Sequence, residues 1–246
     1  MFNPIIHWQS PDTKNKVIEE LKNNNVLITT TDTIPGFLAN TTDKGFQALN
    51  TIKQDRQHKP YIILISDTSI GDASISDASK LDYFVDPEQL TQQIKNLVKQ
   101  CWPGPLTIIF KAKKELPDFL KSENNTVAIR CPNYPPLLDV LKNFNGLFST
   151  SANISNTQAP LTIGQVDNQV AAQVECLVDD ENSSKNSQVL ETKPSTIIDV
   201  SDTCVSNAQI DDTSVSNTRV SNTIRVIRQG AYSVQELEKI LGTKIE

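Results

Sequence analysis

Five basic residues stand where they can converge on one ligand: Lys53, Arg56, Lys59, Arg130 and Arg228. The first three lie close together at an expected helix-to-strand junction, Arg130 ends an expected strand and Arg228 follows another. In an otherwise acidic chain such a set suits an anion. On charge alone it reads as well as a solvated basic loop with two structural ion pairs. Two polar segments shift that balance. Thr31-Asp32-Thr33 and Ser149-Thr150-Ser151-Ala152-Asn153 stand at the expected carboxyl ends of strands, where open α/β sheets bind ligands. Hydroxyls, an amide and guanidinium groups together fit a polyanion with polar decoration, such as a nucleotide with an amino acid. Ser151 taken alone reads as well as a simple turn residue.

Several chemistries are excluded or disfavoured. Only 8 glycines occur in 246 residues, and neither GxxxxGK[ST] nor GxGxxG is present, which argues against a Walker-type NTPase or a dinucleotide-binding domain. The histidines are His7 and His58, with no GxSxG elbow, so a Ser/His/Asp hydrolase is disfavoured. A net charge of −6 gives no global attraction for nucleic acid or an anionic membrane, and any phosphate site must be a local cluster. No apolar run approaches the roughly 20 residues of a membrane span, and the start, MFNPIIHWQS, has no secretory pattern. Cys101, Cys131, Cys176 and Cys204 fit no metal spacing and read as reduced thiols of a cytoplasmic protein. No compact carboxylate cluster suggests a metal site built by the protein.

Alternating elements must position these groups. A helix with Val17, Ile18 and Leu21 on one side follows Pro11-Asp12-Thr13 and stops at Asn23-Asn24-Asn25. Residues 26–31 predict a strand and 33–36 a turn, after which Asp43 is expected to cap a helix ending at Lys53. Residues 61–65 read as a buried strand. Asp86-Pro87 is expected to open one helix carrying Leu90, Ile94, Leu97, Val98 and Cys101, ended by Trp102-Pro103-Gly104-Pro105. Strands are expected at 106–110, 126–130, 146–150, 174–178 and 196–200, with a helix at 136–141. A last helix opens on the capping box Ser233-Val234-Gln235-Glu236. The alternation predicts a single α/β domain over 1–246, its strands largely covered on both faces. Within it, 201–223 carries a short polar repeat and reads as an inserted surface loop.

The motifs, taken in order, resemble the YrdC/TsaC family of threonylcarbamoyl-AMP synthases. The matching segments are Thr31-Asp32-Thr33-Ile34-Pro35-Gly36, Ile52-Lys53 with Lys59-Pro60, and Trp102-Pro103-Gly104-Pro105-Leu106-Thr107. They continue with Val127-Ala128-Ile129-Arg130-Cys131-Pro132, Ser149-Thr150-Ser151-Ala152-Asn153, Pro194-Ser195-Thr196-Ile197-Ile198-Asp199 and Arg228-Gln229-Gly230. The resemblance runs from about residue 10 to 235, and an ordered series of motifs is far more specific than any one of them.

The resemblance implies the short, single-domain form: a twisted mixed α/β sheet flanked by helices around a deep basic cavity. It implies that L-threonine, bicarbonate or CO2, and ATP yield L-threonylcarbamoyl-adenylate and pyrophosphate. A separate tRNA threonylcarbamoyl transferase complex would receive the product and modify an adenosine of tRNAs decoding ANN codons. Lys53, Arg56 and Lys59 would be catalytic. Thr31, Thr33, Arg130, Ser149, Ser151, Asn153, Ser195 and Arg228 would bind substrate and nucleotide. Mg2+ would arrive on the triphosphate, and no covalent nucleophile is needed.

The chain departs from the family at three places. Asp55 holds the usual arginine position of the lysine loop, with Arg56 one place later. Asn156 stands where a glycine is usual and is the next residue to tolerate positive φ. Residues 179–188 replace the glycines before Pro194-Ser195-Thr196. A diverged nucleotide- or RNA-binding relative with weak or no synthase activity is the alternative reading, with weak RNA contact in either case.

Overall fold

A computed structural model describes residues 4–54, 60–66, 80–181, 193–203 and 223–246. The chain enters through β1 (Ile5–His7) and α1 (Thr13–Lys22), whose Val17 and Leu21 are fully buried. Asn24, at φ 66°, turns the chain into β2 (Leu27–Thr29). The expected turn at 33–36 leads directly into an unforeseen strand, β3 (Gly36–Asn40), antiparallel to β2. The cap of α2 (Asp43–Lys53) is Thr42 rather than Asp43, since its Oγ1 accepts from Gly45 N at 3.0 Å.

β4 (Ile62–Leu64) and α3 (Lys80–Phe84) follow. The single helix expected from Asp86 is broken in two. Asp86 caps a short 3-10 turn at Pro87–Gln89, and the α-helix restarts at Thr91, which caps α4 (Gln92–Cys101). Then come β5 (Leu106–Lys111), β6 (Thr126–Arg130), α5 (Pro135–Leu141) and β7 (Leu147–Ser151). The short α6 (Asn168–Ala171) precedes β8 (Leu177–Asp179), which begins later than expected. β9 (Thr196–Asp199), β10 (Arg225–Arg228) and α7 (Val234–Leu241) complete the order, and α7 has the expected capping box. Residues 204–222, most of the expected loop insertion, lie outside the described residues, as do Asp55, Arg56, His58, Lys59 and Cys204.

All ten strands form one mixed sheet in the order β1-β8-β2-β3-β7-β4-β6-β5-β9-β10. Because side chains alternate along a strand, the register divides the core in two. Phe148, Ile63, Ile129 and Ile108 are aligned across neighbouring strands and meet α2, α3, α4 and α7 on one face. On the other face Leu27, Leu38, Leu64 and Leu147 meet Val17 and Leu21 of α1 with Leu137, Val140 and Leu141 of α5. Those two helices cover only part of this second face. Over β6, β5, β9 and β10 the described residues supply no covering helix, where cover on both faces was expected.

Candidate active site

The uncovered part of the second face is the floor of a cavity of about 300 Å³. Alternate residues of successive strands line it: Ser149 and Ser151 of β7, Ile62 and Leu64 of β4, Ala128 and Arg130 of β6, Ile109 of β5, and Ile197 of β9. The site therefore lies on the face of a mixed sheet. Thr31 and Thr33 follow the end of β2, and Arg130, Ser151 and Arg228 close β6, β7 and β10, so the expected strand ends do contribute, but the cavity extends over the sheet face as well. Fully burying an isoleucine is worth roughly 1.5–3 kcal/mol. Leaving Ile109, Ile197 and Ile227 partly open forgoes some of that and creates a surface suited to the apolar part of a ligand. Arg130 and Arg228 are the charged residues among the described lining, which is otherwise largely apolar, so the strongly basic wall expected is not seen in this part of the site.

Arg130 is fixed from three sides. Its Nη2 donates to Asp32 Oδ1 at 2.6 Å, its Nη1 to Thr33 Oγ1 at 3.0 Å, and its Nε to the Gly104 carbonyl at 3.1 Å. The second oxygen of Asp32 accepts from Asn133 N at 2.9 Å. Asp32 thus orients and neutralises Arg130, a role that the sequence reading missed. Its place between two site threonines was the available signal.

Arg228 owes its direction to a β-bulge. Val226 pairs with Ile198, but Arg228 pairs with Ile197, leaving Ile227 as an extra residue in β10. In an unbroken register Arg228 would oppose Thr196 and point to the opposite face. With the bulge, Ile227 and Arg228 both reach the cavity. The Nε and Nη2 of Arg228 donate to the Ser195 carbonyl at 3.1 and 2.8 Å, and Nη2 also donates to Ser195 Oγ at 3.0 Å. Its Nη1 makes no hydrogen bond among the described residues. Partial enclosure first, and the Arg130 charge second, hold its pKa below the ordinary arginine value. A bound anion would relieve the repulsion between the two guanidiniums.

The segment that carries Ser195 is locked to the one that follows Arg228. Thr196 Oγ1 accepts from Gly230 N and Tyr232 N and donates to the Tyr232 carbonyl. A Cβ on Gly230 would lie 2.2 Å from Pro194 O. Glycine is therefore required by close approach of two backbones.

The other expected residues separate into those open to a ligand and those committed within the protein. Ser149 lines the cavity, and its hydroxyl has no partner among the described residues. Thr31 and Thr33 also line it, but Thr31 Oγ1 donates to Ile34 O at 3.0 Å, accepts from Thr33 N and contacts Thr33 Oγ1. It holds its own turn. Ser151 Oγ donates to Asn153 Oδ1 at 2.5 Å, while Asn153 Nδ2 donates to the carbonyls of Ile154 and Thr157. Asn156 sits close by at φ 68°, the left-handed conformation its substitution for glycine implied.

Lys53 is not among the described residues that line the cavity. It is 3% exposed, and its Nζ donates to the carbonyls of Ser151 at 3.1 Å and Asn153 at 2.6 Å, with the Phe37 ring centroid 5.5 Å away. The structure thus places it behind the end of β7 as a strut. Arg56 and Lys59 lie outside the described residues; Pro60, next to Lys59, lines the cavity.

Other groups with reactive chemistry stand apart. Cys101, Cys131 and Cys176 are buried and form no disulfide. Burial pushes the thiols of Cys101 and Cys176 up to about 11, which leaves little thiolate at neutral pH. His7 lies in β1, at the sheet edge opposite β10. No helix among the described residues is long and apolar enough to cross a membrane.

Comparison with known proteins agrees with this geometry. The profile of the Sua5/YciO/YrdC family, described as "Telomere recombination", matches residues 19–210. A relative from Methanocaldococcus jannaschii is 30% identical over 202 residues, covering 80% of this chain and 86% of its own. A threonylcarbamoyl-AMP synthase from Histophilus somni is 30% identical over 190 residues, covering 75% of this chain and 93% of its own. Among solved structures, P. abyssi Sua5 complexed with L-threonine superposes with a TM-score of 0.74 at 20% identity, over 99% of this chain and 63% of the Sua5 chain. E. coli YciO superposes with a TM-score of 0.68 at 21% identity, over 95% of this chain and 97% of its own. The ordered motifs, the sheet and the family profile agree, and the chain belongs to the Sua5/YciO/YrdC family.

Proposed function

We propose that this chain is a threonylcarbamoyl-AMP synthase, joining L-threonine, bicarbonate or CO2, and ATP into L-threonylcarbamoyl-adenylate and pyrophosphate. The observation that carries the reading is the convergence of Arg130 and Arg228 on one sheet-floored cavity, in a chain whose relatives bear that name. That naming also favours the synthase over a diverged binding protein. Threonine and bicarbonate give a carbamate with loss of water. A carbamate oxygen then attacks the α-phosphorus of ATP, and the bond to the bridging oxygen breaks as pyrophosphate leaves. Both reactants are anions, so repulsion and positioning dominate the barrier.

The described residues supply orientation and charge. Arg228, with Nη1 uncommitted, takes a phosphate or carboxylate oxygen; Arg130 presents a guanidinium fixed by Asp32, Thr33 and Gly104. The Ser149 hydroxyl is available to threonine or nucleotide, and the isoleucines accept apolar surface. Thr31, Thr33, Ser151, Asn153 and Lys53 keep the walls in shape. Arg56 and Lys59 complete the cation set by family resemblance. The threonine complex of the Sua5 neighbour supports placing the amino acid in this cavity.

Magnesium enters as part of the nucleotide substrate, shielding triphosphate charge. Both oxygens of Asp32, the carboxylate of the Thr31–Thr33 turn, are already engaged by Arg130 and Asn133. The buried thiols and acidic balance fit a cytoplasmic enzyme. Its product would pass to a tRNA threonylcarbamoyl transferase complex, with at most weak RNA contact by this chain.

The test is pyrophosphate release by the purified protein with ATP, threonine, bicarbonate and Mg2+. Release should require threonine and be abolished in Lys59→Ala and Arg228→Ala, with folding retained. Well-folded protein that releases no threonine-dependent pyrophosphate would overturn the assignment.

A further inference from the structure

Thr107 lies on the cavity face of β5, opposite Ile197, yet is fully buried, where a polar side chain needs a reason to be. Its Oγ1 meets Ser195 Oγ at 2.9 Å, and Ser195, 2% exposed, accepts from Arg228 Nη2 through the same hydroxyl oxygen. A chain of hydrogen bonds therefore runs from an unexposed threonine through a buried serine to the guanidinium that enters the cavity. We infer that Thr107 is a positioning residue for anion binding, acting through Ser195 to hold Arg228 in its receptive orientation; the catalytic role of that anion site rests on the synthase reading.

The arrangement answers a physical difficulty. Arg130 and Arg228 repel one another across the cavity, and Arg228 stands on an edge strand with no carboxylate partner among its described hydrogen bonds. Neutral acceptors alone hold it: the Ser195 carbonyl and hydroxyl. With its lone pairs aimed at Arg228, Ser195 Oγ needs a fixed rotamer, and a donor on its far side supplies one. When Thr107 gives its proton to Ser195, the Ser195 proton stays free to point at a ligand. The Nε and Nη2 edge of Arg228 is then fully used, leaving Nη1 for the anion. A carboxylate in place of Ser195 would hold the guanidinium harder but cancel the charge the ligand needs.

The probe is inorganic pyrophosphate, titrated calorimetrically into wild type, Thr107→Val, Thr107→Ser, Arg228→Met and the double variant Thr107→Val/Arg228→Met, with threonine-dependent pyrophosphate release measured in parallel. Thr107→Val, which keeps the shape and removes the hydroxyl, should weaken pyrophosphate about tenfold, and Thr107→Ser should restore it to within about threefold. In the Arg228→Met background the valine should have no further effect, because its route to the ligand is gone. A purely structural role would instead lower affinity equally in both backgrounds, and that result, or wild-type affinity in Thr107→Val, overturns the inference. If Thr107→Val does not fold, Thr107→Ala takes its place: it should show the same dependence on Arg228, and an equal loss in both backgrounds again overturns the proposal. Wild-type protein that binds pyrophosphate but never releases it in a threonine-dependent way would overturn the synthase reading while leaving the binding cycle able to decide on Thr107.

Discussion

Arg130 and Asp32 form an ion pair at 2.6 Å with side chains only 7% and 11% exposed, although 98 residues separate them in sequence. Breaking a buried pair by removing one charge costs roughly 3–5 kcal/mol, because the other charge is left uncompensated. Asp32→Asn should therefore lower the urea-unfolding free energy by about 3 kcal/mol while keeping an acceptor for Asn133 N. Pyrophosphate should stabilise this variant more than it stabilises wild type, since a ligand anion then replaces the lost carboxylate. Equal stabilisation of the two proteins would show that Asp32 does not tune the charge of the anion site.

Gly230 gives a test of the interlock behind Arg228. A Cβ there would sit 2.2 Å from Pro194 O and 2.6 Å from the Ser195 carbonyl carbon, both backbone atoms that cannot swing aside. Gly230→Ala should push Ser195 away from Arg228 and reduce threonine-dependent pyrophosphate release about a hundredfold, equivalent to about 2.7 kcal/mol of barrier. Gly164→Ala is the control, because the new Cβ would have only the Thr162 hydroxyl nearby at 4.0 Å. Comparable losses from both substitutions would remove the interlock as the cause.

The capping box of α7 makes a pH prediction with a definite sign. The Ser233 hydroxyl and backbone N–H hold the Glu236 carboxyl below its ordinary value of 4.5. A carboxyl more acidic in the folded than in the unfolded state stabilises fully above the unfolded value, and the effect disappears as pH falls through the folded one. Wild type should thus melt above Glu236→Gln at pH 7, and the difference should close as the pH falls through the lowered folded-state value. A gap that persists unchanged at low pH would assign the effect to shape rather than charge.

Much of this architecture is legible from local pattern. The β6 strand, the capping box and the positive φ of Asn156 all rest on neighbouring residues, which is why the sequence reading anticipates them. What it does not anticipate depends on pairing. β3 has only a short apolar run, Phe37-Leu38-Ala39, and becomes a strand because β2 and β7 flank it. Arg228 reaches the cavity only through a bulge defined against β9, and no feature of Arg225-Val226-Ile227-Arg228 by itself announces it. The site's location on a sheet face follows from β7 lying between β3 and β4, a non-local arrangement. Cation types were legible, but their division into ligand-facing and structural groups was not.

Lys53 is where that division can be measured. The sequence shows a cation at a helix end beside other cations, and family resemblance makes it catalytic. The structure buries its ammonium among the Ser151 and Asn153 carbonyls and the Phe37 ring. Leaving a buried acceptor without a donor costs about 1–3 kcal/mol; here the Asn153 carbonyl would lose the Lys53 ammonium, while the Ser151 carbonyl keeps Asn153 N. Lys53→Met should accordingly lower unfolding stability by about 1–3 kcal/mol, and at temperatures where it remains folded its KM for ATP should rise far less than in Arg228→Met. Residual activity should fall with the order of the Ser151–Asn153 segment, read as faster amide exchange there. If Lys53→Met instead keeps wild-type stability and loses ATP binding outright, Lys53 touches the nucleotide directly and the strut assignment fails.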